Sequence, residues 1–492
     1  MSRTNTLIKH TSIYAIGTIS RQLIGFIMLP IYTRFLTPAD YGVISLLNVS
    51  FVIIERLFGA RLTVAIPKFY YAAEKDNGDA NAVVSSALLI TALISIISTL
   101  VLVFFKDNFS SAVFGTVEYG VVVAIFAITL LTGALEHYAL VYIRIRQKPF
   151  LFVGVNISKL LVQICLNIWL VVYLELGVLG VAISAAVSST IFSVVLTVYT
   201  IYYTGFRIKN EIVIKMIIFA WPLWISGLAG IYIWSSNRYF IRVMGSLDDV
   251  GFFELAAKFA AILMVLCWEP FYQYWQTERF NLYNQPNSDA SFRSVFYFIS
   301  TILVIVAMGI SIFSGPVIRI MAAPEFHEAI TIVPYLVFGT LFAALVEFAN
   351  FGFLLKGKTG LISRNAYLIA VLITALYLYA IPAYGYVGAA VAIMIAQACY
   401  FYLSNWTSKK YHDPGISLKP LAMMILIAAV GCWLSIVEFA NETLWVDVLV
   451  KILVSSVISL LLIVILIRDR EQRERFNELL DSVRKRFRRE RL

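Results

Sequence analysis

Charged side chains set inside long apolar runs are the residues of this chain that could do chemistry. Arg21 falls in the run 11–33, Glu55 and Arg56 in 41–66, Lys159 in 150–173, Arg238 near the end of 215–241, and Glu254 and Lys258 in 251–275. An arginine at the centre of a helix crossing a bilayer costs about 2.5–3.5 kcal/mol on insertion scales, so such residues face a bundle interior and carry a role. A guanidinium binds phosphate through two parallel N–H bonds. Gly17 and Gly25 stand one turn either side of Arg21, which lets backbone or ligand come close. Two roles fit Arg21: contact with an anionic substrate, and pairing with a carboxylate such as Glu55. Arg56 has Glu55 beside it as a neutralising partner, and Arg61, nearer the end of its run, is placed to snorkel. Glu254 and Lys258, at i,i+4 spacing, suit an internal ion pair as well as a site. Lys159 and Arg238 are further cationic candidates. Glu55, Glu136, Glu269 and Glu347 could bind a coupling ion or neutralise a nearby base, and His137 reads as a hydrogen-bonded side chain.

The elements that position these groups follow from composition. The chain has 492 residues, 60% hydrophobic and 14% charged, with a mean hydropathy of +0.84, against about 45–50% apolar and about 25% charged in soluble proteins. A chain whose solvent is lipid satisfies its backbone only in helices or closed barrels, and runs this long and continuous are helices. A soluble enzyme, a nucleic-acid-binding domain, a disulfide-stapled secreted module and a disordered chain are excluded. Cys165, Cys267, Cys399 and Cys432 all lie within apolar runs without metal-knuckle spacing and read as small core residues. The first run has no small-residue cleavage site and reads as a span, not a removable signal.

Taking about 20 residues per span, the hydropathy pattern predicts fourteen transmembrane helices, at 11–33, 41–66, 82–105, 119–143, 150–173, 178–203, 215–241, 251–275, 292–313, 329–355, 361–381, 386–407, 420–437 and 446–468. The longest connection runs from Gln276 to Ser291 and leaves no room for a soluble catalytic domain. With the N-terminus inside, 28 of the 39 Lys and Arg residues fall on the cytoplasmic side, which places both termini in the cytoplasm. Asp40-Tyr41-Gly42 recurs as Asp249-Val250-Gly251, and Gly177-Val178-Leu179-Gly180 as Gly385-Tyr386-Val387-Gly388, at offsets of 209 and 208. Spans one to six are therefore expected to repeat as spans seven to twelve, in parallel about an axis along the membrane normal, with a cavity between them. The expected domains are an N-terminal six-helix bundle (1–210), a second six-helix bundle (211–410), two appended helices (411–468) and a basic amphipathic tail (469–492) lying on the anionic inner leaflet.

Four motifs carry a resemblance. Ile381-Pro382-Ala383-Tyr384-Gly385-Tyr386-Val387-Gly388-Ala389-Ala390 resembles the IPxYGxxGAA signature of the polysaccharide-transporter branch of the multidrug/oligosaccharidyl-lipid/polysaccharide (MOP) flippase superfamily. Arg34-Phe35-Leu36-Thr37-Pro38-Ala39-Asp40-Tyr41-Gly42 is similar to the family's LxPxxYG loop, and Trp221-Pro222-Leu223 with Asn237-Arg238-Tyr239-Phe240-Ile241 to the ends of its seventh span. Asn237 stands where the family often has Asp, a departure that removes a coupling carboxylate. The resemblance implies an all-α polytopic fold of the MATE and lipid II flippase type. It implies a flippase that moves an undecaprenyl-diphosphate-type lipid-linked oligosaccharide across the cytoplasmic (inner) membrane by alternating access, for O-antigen or exopolysaccharide synthesis. It also implies membrane lipids and polymerase or glycosyltransferase partners. Related lipid-linked precursor flippases use basic residues on spans one, two and eight, which correspond here to Arg21, Arg56 and Lys258.

The task can be stated without the resemblance: a sugar diphosphate cannot cross hydrocarbon unaided, so a flippase must offer a wet cationic groove. Two other classes stay open. An ion-coupled drug antiporter of the same fold would favour a carboxylate-dominated cavity. A polyprenyl-linked glycan polymerase or ligase would need a reactive site at the membrane face, for which the loops are short. No nucleotide-binding, metalloprotease, nucleophile-elbow or CxxC motif occurs. The expectation is therefore a transporter without cofactor, metal or nucleic-acid partner, energised by H⁺ or Na⁺, by membrane potential or by product consumption.

Overall fold

The structure is a computed structural model that describes residues 26, 28–58, 62–76, 78–436 and 444–467. Its helices in chain order are α1 (Leu29–Phe35), α2 (Pro38–Phe58), α3 (Ala65–Lys75), α4 (Ala80–Phe104), α5 (Lys106–Phe114), α6 (Gly120–Ile145), α7 (Pro149–Asn167), α8 (Gly177–Thr204) and α9 (Asn210–Met244). There follow α10 (Leu247–Ile262), α11 (Glu269–Tyr283), α12 (Ser288–Met321), α13 (Val333–Ala349), α14 (Phe351–Leu355), α15 (Thr359–Ser408), α16 (Lys419–Ile436) and α17 (Leu444–Ile467). Among the described residues there is no strand, and ten helices are long and apolar enough to cross a membrane. One of them, α15, covers 50 residues and takes in two expected spans, two helical segments that meet at a kink where Gly385 leaves helical geometry at φ 58° and ψ −141°. Helices α9 and α16 lie at two further expected spans. The first expected span with Arg21, Arg61 of the second, and the basic tail lie wholly or mostly outside the described residues. The chain is thus a multi-pass, all-helical membrane protein.

Packing divides the chain into two compact units, residues 1–254 and 255–492. In the first, α3, α4, α6 and α9 close on Leu62, Ile66, Val84, Leu88, Tyr138, Tyr142 and Met216. Where lipid gives no hydrophobic drive between helices, small and hydroxylated residues hold them together, and Thr132 of α6 donates to Ser189 of α8 at 2.9 Å. In the second unit, buried rings make the core: Trp275 lies 4.9 Å from Phe348 and 5.0 Å from Phe292, and Phe292 stacks on Phe351 at 4.9 Å.

The sequence anchors at offset 209 build the same local structure twice. At the start of α2 the Thr37 amide donates to Asp40 Oδ2 (3.0 Å) and the Asp40 amide to Thr37 Oγ1 (3.1 Å), a reciprocal N-terminal cap. At the start of α10, Ser246 and Asp249 make the same pair of bonds at 2.9 and 3.1 Å. At offset 208, Gly177 (φ 53°) and Gly385 (φ 58°) both take the left-handed backbone that glycine tolerates. Three residues on, a Cβ on Gly388 would collide with the carbonyl of Ala380, and one on Gly180 would lie a tight 3.1 Å from the carbonyl of Leu170.

Candidate functional site

Helix α6 lines a cavity of the first unit. Ala134, His137, Tyr138, Val141 and Arg144 recur every three or four residues and so share one side of the helix. That side bounds a cavity of about 680 Å³ whose opposite wall is Val52, Glu55 and Arg56 of α2. The Tyr138 hydroxyl accepts from the Leu62 amide at 3.2 Å, which pins the 3₁₀ turn Leu62–Val64 beside the cavity. Two guanidinium groups, Arg56 and Arg144, face one carboxylate, Glu55, and one imidazole, His137, across this space. The balance favours an anion, and both arginines offer the forked donors that suit phosphate oxygens.

A second chamber of about 250 Å³ shares Val52, Glu55 and Ala134 with the first and is bounded by Asn48, Lys159, Gln163 and Ser189. Lys159 does not enter it as a lone cation: its Nζ lies 2.5 Å from Oε2 of Glu136, whose residue is only 8% exposed. Taking either charge out of water alone is costly, so the pair compensates both.

Arg238 is occupied at the Pro38 end of the first unit. Its Nε and Nη2 donate to Glu254 Oε2 at 3.3 and 2.9 Å, and its Nη1 donates to Trp234 O and Asn237 Oδ1, each at 2.9 Å. Glu254 Oε2 also accepts from Ser45 Oγ at 2.7 Å. Nearby, Ser50 and Tyr239 hydroxyls lie 2.7 Å apart, and Arg242 Nε donates to Phe114 O at 2.9 Å.

The remaining candidates lie in the second unit. Lys258 is half-buried on α10. Glu347 on α13 accepts from the Tyr272 hydroxyl at 3.0 Å. Close by, Arg279 is 5% exposed, with its guanidinium carbon 5.9, 5.4 and 5.8 Å from the rings of Tyr272, Phe280 and Phe351. A buried cation over aromatic faces is stabilised by their quadrupoles. An apolar groove of about 600 Å³ runs between α13, α15 and α16, lined by Tyr335, Phe338, Met394, Cys399 and Trp433. Outside the spans, burial pushes the His412 imidazole below its usual range, against the opposing pull of Asp289 and Asp413.

The structure therefore brings Glu55 and Arg56 together in one cavity, sets Glu136 against Lys159 beside it, and ties Arg238 to Glu254. Arg144 and His137 line the cavity although neither carried a site role in the sequence, Arg144 counting only among the 28 cytoplasmic basic residues and His137 reading as a hydrogen-bonded side chain. The signal available was their stripe with Ala134 and Val141 on α6. Among the described residues no group of three or more His, Cys, Asp or Glu side chains could hold a metal ion.

Comparisons with known proteins agree with this architecture. Lipid II flippase MurJ, in an inward closed conformation, superposes with a TM-score of 0.74 at 13% identity, over 93% of this chain and 99% of that one. An inward-facing multidrug resistance MATE family transporter of the MOP superfamily gives 0.59 at 13% identity over 80% and 97%. The MATE multidrug transporter DinF-BH gives 0.60 at 16% identity over 84% and 97%. No curated protein matches the sequence. Residues 7–269 match the family described as polysaccharide biosynthesis protein. With more than half its length matched, this chain belongs to the polysaccharide biosynthesis protein family, and it has the fold of MurJ and the MATE transporters.

Proposed function

We propose that this protein flips a polyprenyl-diphosphate-linked oligosaccharide from the cytoplasmic to the outer leaflet of the cytoplasmic membrane by alternating access. The observation that carries the reading is the cavity of about 680 Å³ on which Arg56 and Arg144 converge against the single carboxylate of Glu55. A diphosphate brings two or more negative charges and several acceptor oxygens, and forked guanidinium donors meet it with short, charge-assisted bonds. The chain crosses the membrane fourteen times with both termini inside, so the Arg144 end of the cavity faces the cytoplasm and the Pro38 end faces out. The family resemblance adds Arg21 and Lys258, on spans one and eight, as further candidate cations for the substrate. Glu55, Glu136 and Glu347 are the carboxylates available to a coupling H⁺ or Na⁺.

The test is reconstitution in vesicles with a fluorescent polyprenyl-diphosphate oligosaccharide, scored by how much sugar an added glycosidase reaches on the far side. Sugar that stays protected at the rate of empty vesicles would sink the reading. A second reading, ion-coupled export of a cationic drug, is favoured by the exposed Glu55 in the same cavity. Efflux of a cationic dye that depends on Glu55, with no lipid flipping, would select it.

A further inference from the structure

The short turn between α6 and α7 carries two cations. Arg146 and Lys148 flank Gln147, which takes the left-handed backbone (φ 51°) uncommon outside glycine. The turn is closed by its own backbone, the Gln147 amide donating to Arg144 O at 2.9 Å and the Lys148 amide to Ile143 O at 3.2 Å. Both cations are exposed, yet each is placed against tyrosines. Arg146 stands among the hydroxyl ends of Tyr70, Tyr142 and Tyr199. Lys148 Nζ donates to the Tyr199 hydroxyl at 3.1 Å and lies 5.7 and 5.5 Å from the ring centroids of Tyr199 and Tyr203. Tyr199 is thus common to the two cations.

A neutral phenol orients a cation but does not balance its charge. The ion pairs among the described residues include neither Arg146 nor Lys148. Arg207, three residues beyond α8, is by contrast held by Asp79 at 2.7 Å. Lys148 uses one of its three N–H donors on Tyr199, and the rest stay available to an acceptor. The neighbouring surface of α8 is apolar: Val194, Val195, Val198 and Tyr202 follow one another at three- and four-residue steps, and all are exposed. Aliphatic side chains belong at the depth of hydrocarbon and tyrosine at the level of headgroups. Read along α8 toward the turn, the order is therefore hydrocarbon, headgroup boundary, cations, which is the order of groups along a phospholipid.

We propose that the α6–α7 turn binds the phosphate of a net-anionic diacyl phospholipid whose acyl chains lie along the exposed stripe at 194–202 of α8. A phosphodiester can accept from the Arg146 fork and from Lys148 together, in short charge-assisted bonds. A zwitterionic lipid sets its own ammonium against its phosphate and gains less from two cations. Basic pockets of this kind at the membrane face recognise anionic headgroups, and on the topology proposed above this one lies in the inner leaflet. Arg144, two residues before the turn, belongs to the cavity instead. The inference does not depend on the cargo, so a failed flipping assay would leave it standing.

Collisional quenching reads the lipid contact directly. A fluorophore is attached at Tyr202→Cys in a full-length chain whose four native cysteines are Ala. The chain is reconstituted in phosphatidylcholine vesicles with a minor share of phosphatidylglycerol, and bromine is carried on the acyl chains of one lipid or of the other. Quenching per mole of each lipid gives the enrichment of the anionic one beside the probe. A basic residue at the surface adds about fivefold to association with anionic lipid, so two should enrich phosphatidylglycerol about 25-fold. A probe at exposed Leu93→Cys on α4 should show no enrichment. Arg146→Gln and Lys148→Gln should each lower the value at Tyr202→Cys about fivefold, and Lys148→Arg should keep it. Arg207→Gln should leave it unchanged, because Asp79 already balances that charge. Equal quenching by the two lipids at Tyr202→Cys would overturn the proposal. So would an equal loss in Arg207→Gln and Lys148→Gln, which reduces the effect to net charge, or displacement of the lipid by inorganic phosphate, which makes the ligand a free anion.

Discussion

Gly42 and Gly251 hold α2 and α10 so close that each lies against backbone of the other helix, one by Leu247 and the other by Pro38. Close crossing of this kind needs glycine, because a neighbouring carbonyl cannot move aside as a side-chain tip can. Small residues at membrane helix crossings gain their energy from this approach.

Gly42→Ala and Gly251→Ala should therefore act alike. Each should force the crossing apart, with overpacking of about 1–3 kcal/mol, and lower the thermal midpoint in detergent. Gly309→Ala, where a Cβ meets nothing within 4 Å, is the control and should melt as wild type. The idea fails if the Gly42 and control variants are indistinguishable.

A buried pair separates structural charges from working ones. Breaking Glu136–Lys159 from either side should cost about 3–5 kcal/mol. Glu136→Gln and Lys159→Met should each lower abundance and the thermal midpoint in detergent, and the double variant should recover most of the loss, as coupled neighbours do. Full abundance in both single variants, with flipping lost, would instead assign the pair to transport.

How much of this was legible in the sequence depended on whether the contacts were local. The caps of Asp40 and Asp249, and the left-handed turns of Gly177 and Gly385, are each made within a few residues along the chain, so both repeat anchors could be read directly. Partners set by helix crossing could not. Sequence offers Lys258 to Glu254 at i,i+4, whereas the structure adds Arg238, 16 residues away on another helix. Glu136 and Lys159, 23 residues apart, meet because α6 and α7 pack side by side. The cavity stripe on α6 was hidden because Arg144 sits at a helix end, where positive charge is ordinarily a topological flank.

The second unit should carry its own pH dependence. His412 lies edge-on to Tyr283, Phe292 and Phe351 at 5.4, 5.9 and 5.6 Å, and burial lowers its pKa from the ordinary 6.5. A folded pKa below the unfolded one means that the unfolded chain binds more protons, so this contribution is present above pH 6.5 and is lost as pH falls toward the folded value. The detergent midpoint should drop over that window in wild type, and the drop should shrink in His412→Gln. An unchanged slope in His412→Gln would place the sensitivity elsewhere.

The cavity arginines bear directly on the proposed cargo. Arg56 and Arg144 line the cavity of about 680 Å³ from α2 and α6; Arg238 lies elsewhere and donates to Glu254, Trp234 and Asn237. If the cargo carries a diphosphate, each cavity arginine contributes charged hydrogen bonds of about 1.5–3 kcal/mol, so Arg56→Ala and Arg144→Ala should each slow flipping about tenfold or more at normal abundance. Lysine keeps the charge but loses the fork, so Arg56→Lys should fall between wild type and Ala. Arg238→Lys should behave differently, lowering the thermal midpoint in detergent more than affinity for the lipid. Competition by a diphosphate-bearing polyprenol without sugar separates the headgroup from the glycan: it should inhibit wild type and lose potency in the Arg56 and Arg144 variants together. Flipping at wild-type rate in Arg56→Ala and Arg144→Ala alike would remove the diphosphate from this cavity.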